Sequence, residues 1–561
     1  MPYFPDTKMK ISQFPLYSPF PLIILGIWFI KFTTQKGAHT MLSQELLQKF
    51  ENDIDIFEEK LHAFEAGEID RKTFKGISGG FGSYAQKESG YMLRLRLPGG
   101  HITKDTLKFL ADKISEHQIS LLKLTTCQTI QFHNLSAASV PQLVRDALKT
   151  GIVTLGGGGD NPRNVMASPL TGVAPDETFD VFPYAKAAGE YLLTKMPGLH
   201  MPRKLKVGFS NTPANEVHAT FRDLGFVARE NGTFSVYCAG GLGPNPKLGV
   251  HITDDAKPEE VSLYVHAMIR LFTTYGNYES RAKSRTRYLQ DTLGEEGIRS
   301  NFLQFVEEAR NTLTPWPIES SEPISKTPNG ILSEELLAET RILSQKQDGL
   351  YTVSYHPIGG RLAPEKPAQI YKVIKEMPEA ELRISPDGTL YLINLTAKEV
   401  PAVLDVTSDG AASLFESSVS CIGVPICQHG LRNSYALLDA CIRRVREEHF
   451  TDGVLPKIHV SGCPSSCGSH QAAGIGFVGH SKRVDGNMES AFKLFVNGCG
   501  KEPGAHLGTE KGVILESVIP EFLAALGTQI AAADSTFDAW YPTHTEAFDT
   551  LAAEYAEKTS R

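Results

Sequence analysis

HNLSAASVPQLV, at residues 133–144, returns as INLTAKEVPAVL at residues 393–404. The likeness extends outward from both. Ahead of the first lie YMLRLRLPGG (91–100), TKDTLKFLADKISEH (103–117) and LLKLTTCQTIQFHNL (121–135). Ahead of the second lie LYTVSYHPIGGRL (350–362), EKPAQIYKVIKEM (365–377) and ELRISPDGTLYLINL (381–395). Each set reads strand, Gly-Gly turn, helix, strand, and the same order at two places is an internal repeat. A second pair follows: PRKLKVGFSNTPANEVHATFRDLGFVA (202–228) lines up with LPKIHVSGCPSSCGSHQAAGIGFVG (455–479), and FSVYCAGGLGPNPKLG (234–249) with FKLFVNGCGKEPGAHLG (492–508). The chain therefore reads as a duplicated unit. Each half is a small β-α-β module followed by a larger α/β module, with a polar, proline-containing linker near residues 314–329.

Composition fits an ordinary globular chain of two to four domains: 561 residues, 41% hydrophobic, 21% charged, net charge −8. The negative balance argues against a nucleic-acid partner, and no charged low-complexity tail appears. Residues 20–32, FPLIILGIWFIKF, are apolar but shorter than the roughly 20 residues of a membrane span. We read residues 1–40 as an extension ahead of a functional start near Met41, with a membrane-associated anchor as the competing reading. Residues 43–67 read as an amphipathic helix capped by Ser43 and stopped at Gly67.

Eight cysteines are too sparse for a disulfide scaffold. Cys127, Cys238, Cys441 and Cys499 sit in or beside apolar segments and read as small buried hydrophobes. The other four form Cys421-x5-Cys427 and Cys463-x3-Cys467. The five-residue gap suits zinc knuckles poorly. An iron–sulfur cluster spaces its thiolates more widely, and Gly423, Gly462 and Gly468 allow close backbone approach. Zinc, and four unrelated buried thiols, are the alternatives. Such a site suits a reducing, cytoplasmic compartment. The first copy of the 455–479 loop has no thiol and presents Arg203, Lys204 and Lys206 instead, as though facing an anion.

CIGVPICQHG (421–430) with SGCPSSCGSH (461–470) and LRLRLPGG (93–100) resembles the nitrite and sulfite reductase family, in which siroheme is coupled to a [4Fe–4S] cluster. The likeness runs from about residue 80 to 555. It implies an α+β, internally duplicated fold: two ferredoxin-like half domains plus two larger α/β siroheme and iron–sulfur domains with pseudo-twofold symmetry. The expected division is 1–40 extension, 41–155 first half domain with its helix, 156–313 first α/β domain, 314–345 linker, 346–410 second half domain, and 411–561 cluster-bearing α/β domain.

The resemblance further implies that Cys421, Cys427, Cys463 and Cys467 ligate the cluster, with Cys467 bridging to siroheme iron. The pocket for an anionic macrocycle and an oxyanion should be rich in cations. Arg94, Arg163 (in GGGGDNPRNV, 156–165), Lys204 and Lys206 are the expected substrate-binding residues, and Arg96, Lys123, Gln128 and Asn164 the expected cofactor-binding ones. Arg94 and Arg96 alternate as on one strand face, as do Lys204 and Lys206. RAKSRTRY (281–288) resembles a basic family segment, yet its charges read individually as solvated.

One departure stands out. Where the family commonly has T-x-R-Q, this chain has Cys127 in TTCQT, so Lys123 or a different carboxylate arrangement must compensate, and Cys127 itself reads as neutral packing. The implied activity is six-electron reduction of sulfite to sulfide, with nitrite reduction to ammonia as the alternative. A protein that kept the cluster but lost siroheme, working in electron transfer, is the competing class. No G-x-G-x-x-G lies between a strand and a helix, so a separate ferredoxin or flavoprotein is the expected donor.

Overall fold

Ser43 opens the first helix, Gln44–Glu65, its hydroxyl accepting from the Leu46 N–H at 3.2 Å. Phe50, Ile54, Phe57 and Leu61 form its buried stripe, and Gly67 follows in the left-handed region at φ +77°. The computed structural model describes residues 42–558. The extension 1–40, its apolar stretch and the expected start at Met41 lie outside the described residues. Among the described residues no helix is long and apolar enough to cross a membrane.

The two small modules exchange strands. In the first, Ser83–Ala85, Tyr91–Leu95, Ile130–Leu135 and Leu121–Leu124 pair antiparallel, and the fifth strand, Arg361–Leu362, comes from the second half of the chain. Reciprocally, His101–Ile102 completes the sheet of Ile342–Ser344, Leu350–Tyr355, Leu390–Thr396 and Glu381–Ile384. The crossing points are the two Gly-Gly turns. Gly99 and Gly359 sit at φ +61° and +57°, and a Cβ on Gly100 would lie 2.5 Å from the Ile384 carbonyl oxygen. Both half domains consequently share one hydrophobic core. The expected linker is shorter than 314–345, because Ile342–Ser344 forms an edge strand against Leu350–Tyr355. Three residues are too few to show an alternating pattern.

At the exchanged edge, Glu381 takes His101 at 2.5 Å and also pairs with Arg383. Burial raises the Glu381 carboxyl, but Arg383 and His101 outweigh it and hold the group well below the usual range. A depressed carboxylate contributes stability that is present above its unfolded value, about 4.3, and is lost as pH falls toward the folded value. We expect Glu381→Gln to cost about 2–3 kcal/mol at pH 7 and to flatten the acid limb of the stability profile. Denaturant titrations at several pH values check this, and an unchanged midpoint at pH 7 contradicts it.

The larger modules share one topology. Met166–Ala167, Val207–Ser210 and Leu224–Ala228 run parallel, with Phe234–Cys238 and Val250–Ala256 antiparallel beyond them. Val419–Ser420, Ile458–Ser461 and Ile475–Val484, then Asn487–Val496 and Thr509–Leu515, repeat this. Each module has its own core. The correspondence is residue by residue: Asn215 and Ser466 both have positive φ, as do His218 and Ser469, and the turns Ala219–Phe221 and His470–Ala472 follow. Cys463 thus corresponds to Thr212, and Cys467 to Glu216.

Candidate active site

In both modules the candidate side chains lie in the loops flanking the parallel strands. In the second module, Cys421 leaves the strand Val419–Ser420, its N–H donating to the Val460 carbonyl at 3.0 Å. Its sulfur accepts from the Gly462 N–H at 3.1 Å and lies 3.2 Å from the Ser434 hydroxyl. Gly462 must lack a side chain, since a Cβ there would stand 2.6 Å from the Arg432 carbonyl oxygen. Cys463 is buried, Cys421 and Cys427 are half-buried, and Cys467 is exposed. Burial, then Cys467, pushes the Cys421 thiol up to about 11, and Cys427 is raised by burial with Cys467 and Cys463 adding. The four thiols therefore feel one another. Among the described residues, however, no three His, Cys, Asp or Glu side chains converge tightly enough for a single ion. Four thiols from two loops match the ligand count of an iron–sulfur cluster.

Facing Cys467 is a group of cations from the first module. The parallel bridge between Pro162 and Leu205 holds the segment that carries Lys204 and Lys206 on either side of buried Leu205. The regular strand begins only at Val207. Lys204 is lowered by burial and then by Arg285, Lys206 and Arg163, while Cys467 opposes the shift. Arg163 donates to the Gly157 and Gly159 carbonyls at 2.7 Å each, and Arg94 also reaches Gly157. Arg285 grips buried Asp223, with 3.0 Å to each carboxylate oxygen, and Asp223 also accepts the Lys206 backbone N–H at 2.8 Å. Arg222, 6% exposed, donates its Nε to the Val217 carbonyl at 2.6 Å. Burial dominates the downward shift of Arg163, to about 10, with Arg94 adding.

This face fits a polycarboxylate ligand on two observations. Arg163 Nε, Arg285 Nε and Arg222 Nη2 are buried donors without a hydrogen-bond partner. The loop bearing Arg163 runs as bare backbone, where a Cβ on Gly158 would stand 2.5 Å from the Gly79 carbonyl oxygen. Such a concentration of donors under desolvation calls for anions. The first half domain reaches the cysteine loop too, since the Thr126 hydroxyl donates to the Cys467 carbonyl at 2.8 Å.

Several expected ligands have other work. Arg96 is buried, and its guanidinium donates to the carbonyls of Leu155, Pro162 and Arg163, so it braces the glycine loop. Lys123 donates to the Gly359 and Ser420 carbonyls beside Cys421, and burial takes its ammonium down to about 7. It therefore does not compensate for the departure at 127. Gln128 spends its amide on Ala167 and Ile384, and Asn164 Nδ2 donates to Leu97, Cys127 and Gln128. Cys127 packs against Met166, Val217 and Ala219, as the packing reading expects, but cations also surround it. Burial would raise its thiol, but Lys206, Arg222, Arg94 and Lys204 together bring it down to about 6. In the 281–288 segment, Arg285 grips Asp223 and Arg287 bonds the Pro244 carbonyl at 2.6 Å, while Lys283 and Arg281, which pairs with Asp160 at the surface, fit the solvated reading. Arg222 and Asp223 went unread. Their signal lay in the repeat, where the second copy has Ala473 and Gly474 instead.

Comparison with known proteins bears on the family. A family model described as the nitrite and sulphite reductase 4Fe-4S domain matches residues 158–309. A second, the nitrite/sulfite reductase ferredoxin-like half domain, matches residues 84–149 and 343–407. The chain is 27% identical over 462 residues to a ferredoxin–nitrite reductase of Synechococcus elongatus, covering 78% of this chain and 85% of that protein. It is 25% identical over 437 residues to the sulfite reductase [NADPH] hemoprotein beta-component of Bacillus subtilis, covering 69% and 74%. The fold matches Mycobacterium tuberculosis NirA with a TM-score of 0.69 at 22% identity, over 85% of this chain and 91% of that one. Duplicated half domains, four spread thiols and the cationic face opposite them make this chain a member of the nitrite and sulfite reductase family, oxidoreductases that work with siroheme and a [4Fe–4S] cluster.

Proposed function

We propose that the chain reduces sulfite to sulfide by six electrons. The observation that carries this is Lys206, which stands with Lys204, Arg163 and Arg285 opposite Cys467 and adds a cation where a dianion benefits most. Cys421, Cys427, Cys463 and Cys467 would hold the cluster, with Cys467 reaching the macrocycle iron. Arg222, Arg285 and Arg163 would meet its carboxylates through their free guanidinium nitrogens. When bound, these groups supply the iron that takes the substrate and the path for electrons. The protein's own side chains hold the anion and move protons. Lys204, already lowered by burial and its cationic neighbours, is suited to give up a proton as a substrate oxygen becomes basic.

Nitrite reduction to ammonia is the second reading. It is favoured by relatives called ferredoxin–nitrite reductase in Synechococcus elongatus and Spinacia oleracea, and by Cys127, whose thiolate offsets part of the charge at Lys206. The donor in either case is a separate ferredoxin or flavoprotein in a reducing compartment. Reduced ferredoxin should sustain turnover, and NADPH with the chain alone should not.

Steady-state kinetics on both anions with a chemical reductant test the substrate. Lys206→Asn should lower kcat/KM for sulfite on the order of tenfold and that for nitrite much less. A wild type that prefers nitrite, with a preference unmoved by Lys206→Asn, would overturn the sulfite reading.

A further inference from the structure

The internal duplication supplies a comparison inside one molecule. The turn Thr125–Thr129 in the first half corresponds to Ser385–Thr389 in the second. Thr125 N–H donates to the Thr129 carbonyl at 3.0 Å and Ser385 N–H to Thr389 at 2.8 Å; Gln128 N–H reaches Thr125 at 2.9 Å and Gly388 N–H reaches Ser385 at 3.0 Å. Gln128 and Gly388 both have positive φ, +53° and +94°. Cys127 therefore occupies the position of Asp387. In the larger modules Lys206 precedes the strand Val207–Ser210 as Lys457 precedes Ile458–Ser461. In the second half the pair is made: Lys457 Nζ lies 2.6 Å from the Asp387 carboxylate. In the first half the same two backbone positions carry a thiol and a lysine.

The surroundings favour charge on that thiol. Cys127 packs against the small apolar cluster of Met166, Val217 and Ala219, and Arg222 bonds the Val217 carbonyl beside it. Arg222 Nη2 is buried without a hydrogen-bond partner, so this guanidinium has capacity left for a neighbouring negative charge. The charged groups around the sulfur are Lys206, Arg222, Arg94 and Lys204, all cations.

We propose that Cys127 is the counter-ion of Lys206 and, by offsetting its charge, acts as a positioning residue that sets the preference of the site between a monoanion and a dianion. This rests on the reading that the substrate anion binds against Lys206. A thiolate is larger and softer than a carboxylate and a weaker hydrogen-bond acceptor, so it leaves the Lys206 ammonium more available than Asp387 leaves Lys457.

The test uses the holoenzyme and its Cys127→Ser, Cys127→Asp and Lys206→Asn variants. Dissociation constants for nitrite and sulfite come from the change in visible absorption on titration, beside kcat/KM with a chemical reductant. Cys127→Ser removes the negative charge and should shift the affinity ratio toward sulfite on the order of tenfold. Cys127→Asp restores a charge and should return the ratio to the wild-type side. In the Lys206→Asn background, Cys127→Ser should produce no further shift, a non-additivity that a merely structural role would not give. If Ser and Asp variants show the same ratio, or the two shifts add, the proposal falls while the substrate reading stands. If Lys206→Asn leaves both affinities unchanged, the substrate reading falls and takes the proposal with it.

Discussion

Replacing Cys467 with serine is expected to strip the purified protein of its cluster absorbance and of turnover together, because this exposed thiol is the one that faces both the other three cysteines and the lysine-bearing first module. A serine hydroxyl is not deprotonated at neutral pH and is a poor partner for iron. Iron content, the visible spectrum and activity measured on one preparation decide the matter. The control is Cys441→Ala. Cys441 is fully buried among apolar side chains, and burial raises its thiol strongly, so it is inert packing. Its truncation should cost about 1–2 kcal/mol and leave the spectrum intact. An iron-depleted Cys441→Ala beside a normal Cys467→Ser would reverse the assignment.

The thiols were legible because spacing alone separates a shared site from scattered packing, and the duplication was legible because apolar period and turn glycines survive in both copies. The strand exchange was not, since His101–Ile102 and Arg361–Leu362 are two residues each and carry no period. The cations were half legible. Arg94, Arg163, Lys204 and Lys206 lie in one cationic group, with the two lysines nearest Cys467, but a sequence cannot tell which donors are already spent. Arg96, Lys123 and Gln128 sit in the expected loops with their hydrogen bonds committed to backbone carbonyls. Arg285 read as a solvated charge and is instead half-buried on Asp223, and the unread Arg222 is buried near Cys127. Reading the two copies against each other at positions 222 and 473 would have exposed Arg222.

The second large effect should come from a glycine that touches no ligand. Gly476 lies in the strand Ile475–Val484, and a Cβ there would stand 2.0 Å from the His470 carbonyl oxygen. Its counterpart Gly225 meets the Ala219 carbonyl oxygen at 1.9 Å. Neither has a positive φ, so the demand is for space. Relief requires the turn His470–Ala472 to move. That turn is pinned to Ser461, whose hydroxyl oxygen lies 3.0 Å from His470 Nδ1 and accepts the Gly468 N–H at 3.0 Å. Moving it drags the residue next to Cys467. Gly476→Ala should therefore lose about 3 kcal/mol and its iron together. Gly225→Ala presses on the other loop, the one leading to Arg222 and Asp223. It should lose similar stability, keep its iron and weaken anion binding. Denaturant midpoints, iron content and sulfite affinity of the two variants make the comparison. Iron retained in Gly476→Ala, or lost equally from both, would show that the clash spreads through the whole fold and does not report on the loop beside it.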